Sequence, residues 1–164
     1  MSRTKNAFIL CTAVFCLSLT ACGGGASQPQ QQKTAVITFS TVSSAHTSPL
    51  MGIQLTAKLP PGATISNLAT ALSGHNDIGQ VVPGTYSAAN QTVTLAVIPT
   101  SGATSIKFGT FADLTCDVTP GVTLTQDSFT SLNTPFPDLQ VTGLNGVDLS
   151  QQIPVKIEKV TFGF

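Results

Sequence analysis

Tryptophan is absent from the 164 residues and tyrosine occurs once. A Trp or Tyr face is what stacks on the apolar face of a pyranose, so the usual aromatic sugar platform is missing. Charge is equally scarce: Asp, Glu, Lys and Arg make up 9% of the chain, against about a quarter in ordinary globular proteins. Arg3 is the only arginine, and beyond residue 21 the lysines stand apart at Lys33, Lys58, Lys107, Lys156 and Lys159. Without a basic patch to neutralise phosphates, nucleic-acid binding is not expected. Nucleophile-elbow, zinc-helix and phosphate-loop motifs are all missing. The sequence therefore assigns no catalytic residue, no metal ligands and no cofactor, and the chain is expected not to be an enzyme.

What is present is apolar and hydroxyl-rich. Hydrophobic residues make up 41% of the chain and the formal charge is zero, the opposite of the low-hydrophobicity, high-charge signature of disorder. The length suits one domain. Of four cysteines, Cys11 and Cys16 fall in an apolar N-terminal run, Cys22 ends it, and Cys116 alone lies in the rest. Cys116 sits in an alternating stretch with Phe111, Leu114 and Val118, which is the setting of a small buried hydrophobe rather than a nucleophile. Neither His46 nor His75 stands in a recognisable cysteine-hydrolase context.

The N-terminus has Arg3 and Lys5, then apolar residues from about Ala7 to Leu19, then Leu19-Thr20-Ala21-Cys22. The apolar run falls short of the ~20 residues that span a bilayer. Charged, apolar and small segments ending on a cysteine resemble a bacterial lipoprotein signal and its lipobox. The resemblance implies cleavage between Ala21 and Cys22, a diacylglycerol thioether on Cys22, and further acylation of the freed amino group with palmitate-type chains. At roughly 0.8 kcal/mol per buried methylene, one chain holds only marginally while two or three anchor the protein to a membrane. Gly23 stands where an aspartate would signal inner-membrane retention, so the outer membrane of a Gram-negative envelope is expected, facing periplasm or cell surface. Residues 1–21 are thus read as signal peptide and 22–33 as the lipidated cysteine and tether. Gly23 to Lys33 has no apolar side chain larger than alanine and would reach about 15–20 Å as a coil.

From residue 34 the pattern acquires period two, and 34–164 is read as one β-rich domain. Residues 34–40, 51–59 and 92–98 alternate apolar and polar positions as half-buried strands do. Residues 64–72 fit helical spacing through Ile65, Leu68, Ala69 and Leu72, yet their brevity and flanking Pro and Gly favour a strand. Residues 106–118 are expected to be extended with a bend at Gly109. Val122–Leu124 pairs briefly, Phe129 docks one aromatic on the sheet, and 140–141 and 154–162 supply the last strands. Turn signals fall at 60–62, 74–77, 83–84, 99–102, 120–121 and 145–146 with no amphipathic helix between them, which is the sequence form of an all-β sandwich. Residues 34–40 are expected to offer an edge that could pair with another chain.

The order of Gly52-Ile53-Gln54-Leu55, Leu59-Pro60-Pro61-Gly62, Ser73-Gly74, Tyr86, the 92–98 strand, Gly109-Thr110-Phe111-Ala112-Asp113-Leu114-Thr115-Cys116-Asp117-Val118 and Asp127-Ser128-Phe129 resembles the cohesin-like and carbohydrate-binding-module-like domains of bacterial lipoproteins. It covers about residues 34–150. The resemblance implies a jelly-roll β-sandwich of about nine strands whose outer face, in cohesins, binds a dockerin module. No second copy and no dockerin-like segment accompanies it here.

Within that frame few residues point to chemistry. Asp113 and Asp117, four apart on one strand, lie on one face about 13 Å apart, beyond the reach of glycosidase carboxylates. His75-Asn76-Asp77 offers two oxygen donors where calcium takes six to eight, so a turn explains it. Leu144-Asn145-Gly146-Val147-Asp148 reads as a tight turn. Phe39, Phe108, Phe111, Phe129 and Phe162 read as core. The expectation is a lipid-anchored, non-enzymatic binding module for an unidentified protein. The alternatives are a carbohydrate-binding accessory module, whose ligand would be a polysaccharide, and a structural spacer of the envelope.

Overall fold

The computed structural model describes residues 30–42, 48–75 and 78–164. The signal segment, Ala21, Cys22, most of the expected tether, His46, Asn76 and Asp77 lie outside the described residues. Nine strands form among them: β1 (Thr34–Thr41), β2 (Leu50–Lys58), β3 (Ala63–Thr64), β4 (Leu72–Gly74), β5 (Gln80–Ser87), β6 (Thr92–Ile98), β7 (Thr110–Val118), β8 (Asp138–Gly143) and β9 (Val155–Gly163). Two short helices, α1 (Leu68–Ala71) and α2 (Gln126–Thr130), and a 3₁₀ turn at Leu144–Gly146 complete the elements of the described residues.

The strands build two antiparallel sheets, so the protein is an all-β sandwich. One sheet runs β7-β1-β9 with β3 and β4 both on the far side of β7; the other runs β5-β6-β2-β8. Alternation decides which side chains meet between them. Ala35, Ile37 and Phe39 of β1, with Leu114 and Cys116 of β7 beside them in the same sheet, point inward toward Ile53, Leu55 and Ala57 of β2 and Val93, Leu95 and Val97 of β6. Phe39 stacks on Phe111 at 6.3 Å between ring centres, and Phe136 tilts against it at 6.1 Å. Phe129 is buried as expected, while Phe108 and Phe162 pack partly buried at the margin.

Several local expectations are overturned. Residues 64–72 do not form one strand: β3 ends after two residues, and the Asn67 side chain accepts from the Ala69 amide at 3.0 Å to cap α1. Asparagine offers the backbone a local partner that outcompetes ladder pairing, so the helical spacing there was the better signal. The extended run 106–118 shortens to β7, because Gly109 adopts φ +130° and Ile106 makes only an isolated bridge to Leu50. Val122–Leu124 is not a strand.

Residues 83–84 are not a turn but the middle of β5. Pro83 removes one ladder donor, which only an edge strand tolerates, and the register slips between Pro83 and Tyr86. The strand survives because Thr94 replaces the lost pairing, its Oγ1 accepting from the Thr85 amide at 2.7 Å.

β1 is not an edge. It pairs with β7 on one side and β9 on the other, and occupies the interior of its sheet. The end of the expected tether is also part of the domain. Lys33 donates to the Gly163 carbonyl and accepts from the Val118 amide, each at 2.8 Å, extending β1 by a residue. Ahead of it, the Gln32 amide accepts from Leu124 N–H at 2.8 Å and donates to the Leu124 carbonyl at 3.0 Å. A side-chain amide thus takes the place of the strand partner expected for residues 122–124.

Candidate functional site

Two outer faces carry the exposed polar side chains. On the β5-β6-β2-β8 sheet, the residues between the inward positions form rows across the strands. Val82, Ala96, Gln54 and Gln140 are aligned in register, and Thr94, Thr56 and Asp138 form the adjacent row. Thr142 lies beside Gly52 at the other end, and Thr92 sits opposite Lys58. Val82 and Ile98 are exposed apolar members, 37% and 42% accessible. Its charges, Lys58 and Asp138, lie toward one end, leaving a centre of amides, hydroxyls and small apolar groups. Gln54, Ala96, Ile98, Gln140 and Thr142 border a shallow open depression there. Hydroxyls and amides on a flat sheet can exchange hydrogen bonds with a partner at little desolvation cost, since no ionised group must be stripped of water.

The other sheet presents a polar cluster centred on Asp113. Its Oδ1 accepts from the Thr38 hydroxyl at 2.6 Å, and its Oδ2 lies 3.1 Å from His75 Nε2. Beside them the Thr110 hydroxyl donates to Glu158 at 3.0 Å. That bond holds the Glu158 carboxyl below the usual carboxylate range, helped by the nearby Ser40 hydroxyl and the Lys156 and Lys159 ammonium groups. Thr38, His75, Thr110, Asp113, Glu158 and Lys159 ring a cavity of about 330 Å³ that is open to solvent. It contains a carboxylate–imidazole pair but no nucleophile activated by it: Thr38 donates to the carboxylate and not to the imidazole. Among the described residues no group of three His, Cys, Asp or Glu could hold a metal ion.

Asp113 and Asp117 do share the outer face of β7, and the structure separates them into different neighbourhoods, Asp117 accepting from the Ser66 hydroxyl at 2.6 Å. Cys116 points the other way, fully buried. Burial first, and the adjacent Asp117 charge second, push its thiol up to about 12, so Cys116 is not a thiolate nucleophile at neutral pH. Residues 144–148 do make a tight turn, with Asn145 at φ +59°. The cluster of Thr38, His75, Asp113 and Glu158 escaped sequence reasoning because its members come from four separate segments. The outer-face row was invisible for the simpler reason that β5 was not recognised as a strand.

No protein-family model, no curated protein and no solved structure matches the chain. Among the described residues no helix is long and apolar enough to cross a membrane.

Proposed function

We propose that the protein is a lipid-anchored, non-enzymatic recognition module of the bacterial cell envelope, held through acylated Cys22, and that it binds another protein on the outer face of its β5-β6-β2-β8 sheet. The observation that carries the reading is the in-register row Val82, Ala96, Gln54 and Gln140 with Thr94 and Thr56 beside it. Its centre is uncharged, and Val82 and Ile98 add exposed apolar area. A cohesin-like jelly roll is the proposed form of the sandwich, and nine strands in two antiparallel sheets support it. Acylation at Cys22 rests on the lipobox Leu19-Thr20-Ala21-Cys22, and outer-membrane placement on Gly23 after it.

Gln54 is exposed at the middle of this face. Gln54→Arg places an unpaired charge in the contact, which costs about 2 kcal/mol or more and lowers affinity by roughly 30-fold. Capture from an envelope extract by the wild-type chain recovers a stoichiometric protein partner. Gln54→Arg loses it, while Ser73→Arg on the other sheet retains it. Equal recovery by Gln54→Arg refutes the assignment of the face. No protein partner together with glycan-array binding moves the reading to a polysaccharide held by the Gln and Thr side chains. For the anchor, Cys22→Ser releases the protein from the membrane fraction or blocks its processing, and normal maturation with continued retention overturns lipidation.

A further inference from the structure

The strap that joins the proposed anchor to the domain leaves from one particular end of the sandwich. Residues 59–67, 88–91 and 119–137 form that end, with Lys33 and Phe164 beside them, since β1 begins there and β7 and β9 finish there. The opposite end holds residues 99–109 and 144–154. Gln32 is pinned to that first end by its two hydrogen bonds to the Leu124 backbone. Ten residue steps separate Cys22 from Gln32. Even fully extended they span no more than about 35 Å. The eight residues of β1 alone cover about 26 Å, so the far end, with Leu144 and Val147, is set back from the strap by at least that length.

We infer that the strap end of the domain rests against the lipid bilayer, with Pro120–Thr123 and Phe164 in the head-group layer. The inference rests on the lipid-anchor reading. Its surface chemistry suits that position. Thr119 to Thr125 contains no ionisable side chain, so bringing it to the interface strips no charge of water. Phe164 is 53% accessible at the same end, and an aromatic ring is well placed at the boundary between head groups and acyl chains. Pro120, Val122 and Phe164 line, with Gln30 to Gln32, an open depression of about 830 Å³ at this end. Lys33 is exposed beside it and offers a cation to lipid phosphates. With this end on the bilayer, the β5-β6-β2-β8 face stands along the membrane normal and the opposite end points away from the lipid.

The absence of tryptophan makes a single introduced indole an unambiguous reporter. The full acylated chain carrying Phe164→Trp, and separately Thr123→Trp, is reconstituted in phosphatidylethanolamine–phosphatidylglycerol vesicles containing lipids brominated near the glycerol backbone. Interfacial segments sit about 5–10 Å into the head-group boundary, so emission falls by about half or more for both reporters. Val147→Trp at the far end is unquenched. Vesicle flotation of the same samples separates the two readings. Chains that float but show no more quenching for Phe164→Trp and Thr123→Trp than for Val147→Trp overturn the orientation and leave the anchor standing. Chains that do not float overturn the anchor and the orientation with it.

Discussion

Asn133 is the most demanding polar residue of the core. It is 4% accessible and lies just beyond α2, where its side chain ties that helix to the end of β2. Its Oδ1 accepts from the Lys58 amide at 2.8 Å, and its Nδ2 donates to the carbonyls of Lys58 at 2.9 Å and Phe129 at 2.8 Å. Each bond is worth about 0.5–1.5 kcal/mol net. Asn133→Ala removes all three and strands the Phe129 carbonyl in the interior. The partly exposed Lys58 groups recover some of their loss from water, so the expected cost is about 2–4 kcal/mol. For a domain of this size that lowers Tm by roughly 8–15 °C. Asn133→Asp keeps the acceptor for Lys58 N–H but turns a carboxylate toward two carbonyl oxygens, and costs at least as much. Urea unfolding followed by far-ultraviolet circular dichroism measures both, with an unchanged m-value as the control for two-state behaviour. A cost below about 1 kcal/mol for Asn133→Ala, or wild-type stability for Asn133→Asp at neutral pH, refutes the claim that these bonds hold α2 to the sheet.

Three further outcomes follow from the packing and protonation of particular residues. A Cβ at Gly84 would overlap Thr94 Oγ1 and come within 2.8 Å of the Thr94 carbonyl, so Gly84→Ala forces β5 off β6 and costs about 1–3 kcal/mol in the same unfolding assay. Hydrogen exchange speeds up first at the β5 amides. Cys116, with its thiol raised to about 12 from 9.0, resists thiol reagents in folded residues 30–164 and reacts only on unfolding. Because the unfolded thiol ionises first, stability falls as pH rises from about 9 toward 12, and Cys116→Ala removes that slope. The Ser150 hydroxyl and amide hold the Asp148 carboxyl below its usual range. Its contribution is therefore present above the ordinary aspartate range and is lost as pH falls through the lowered value. Carbonyl NMR titration should find Asp148 titrating below a typical aspartate, and Ser150→Ala, which removes the hydroxyl but keeps the Ser150 amide bond, should move it part of the way back; no change on that substitution refutes the assignment.

The sequence by itself determined the fold class and most of the core. Alternation in 34–40, 51–59 and 92–98 reads directly as β1, β2 and β6, because a half-buried strand writes its two faces into adjacent residues. The same local signal placed Phe39, Phe111 and Phe129 inside and made Cys116 a buried hydrophobe. Tertiary structure decided whatever depended on partners distant in sequence. Whether β1 is an edge depends on β9, more than a hundred residues later. Pro83-Gly84 looks like a turn until the Thr94 hydroxyl accepts from the Thr85 amide and holds β5 on β6 past the proline. Gln32 looks like tether until the Leu124 backbone meets its amide, 92 residues away. His75 and Asp113 become neighbours only because β4 pairs with β7. Local patterning fixes which face a residue takes, whereas the neighbour it meets there is set by how the strands are ordered in the sheet.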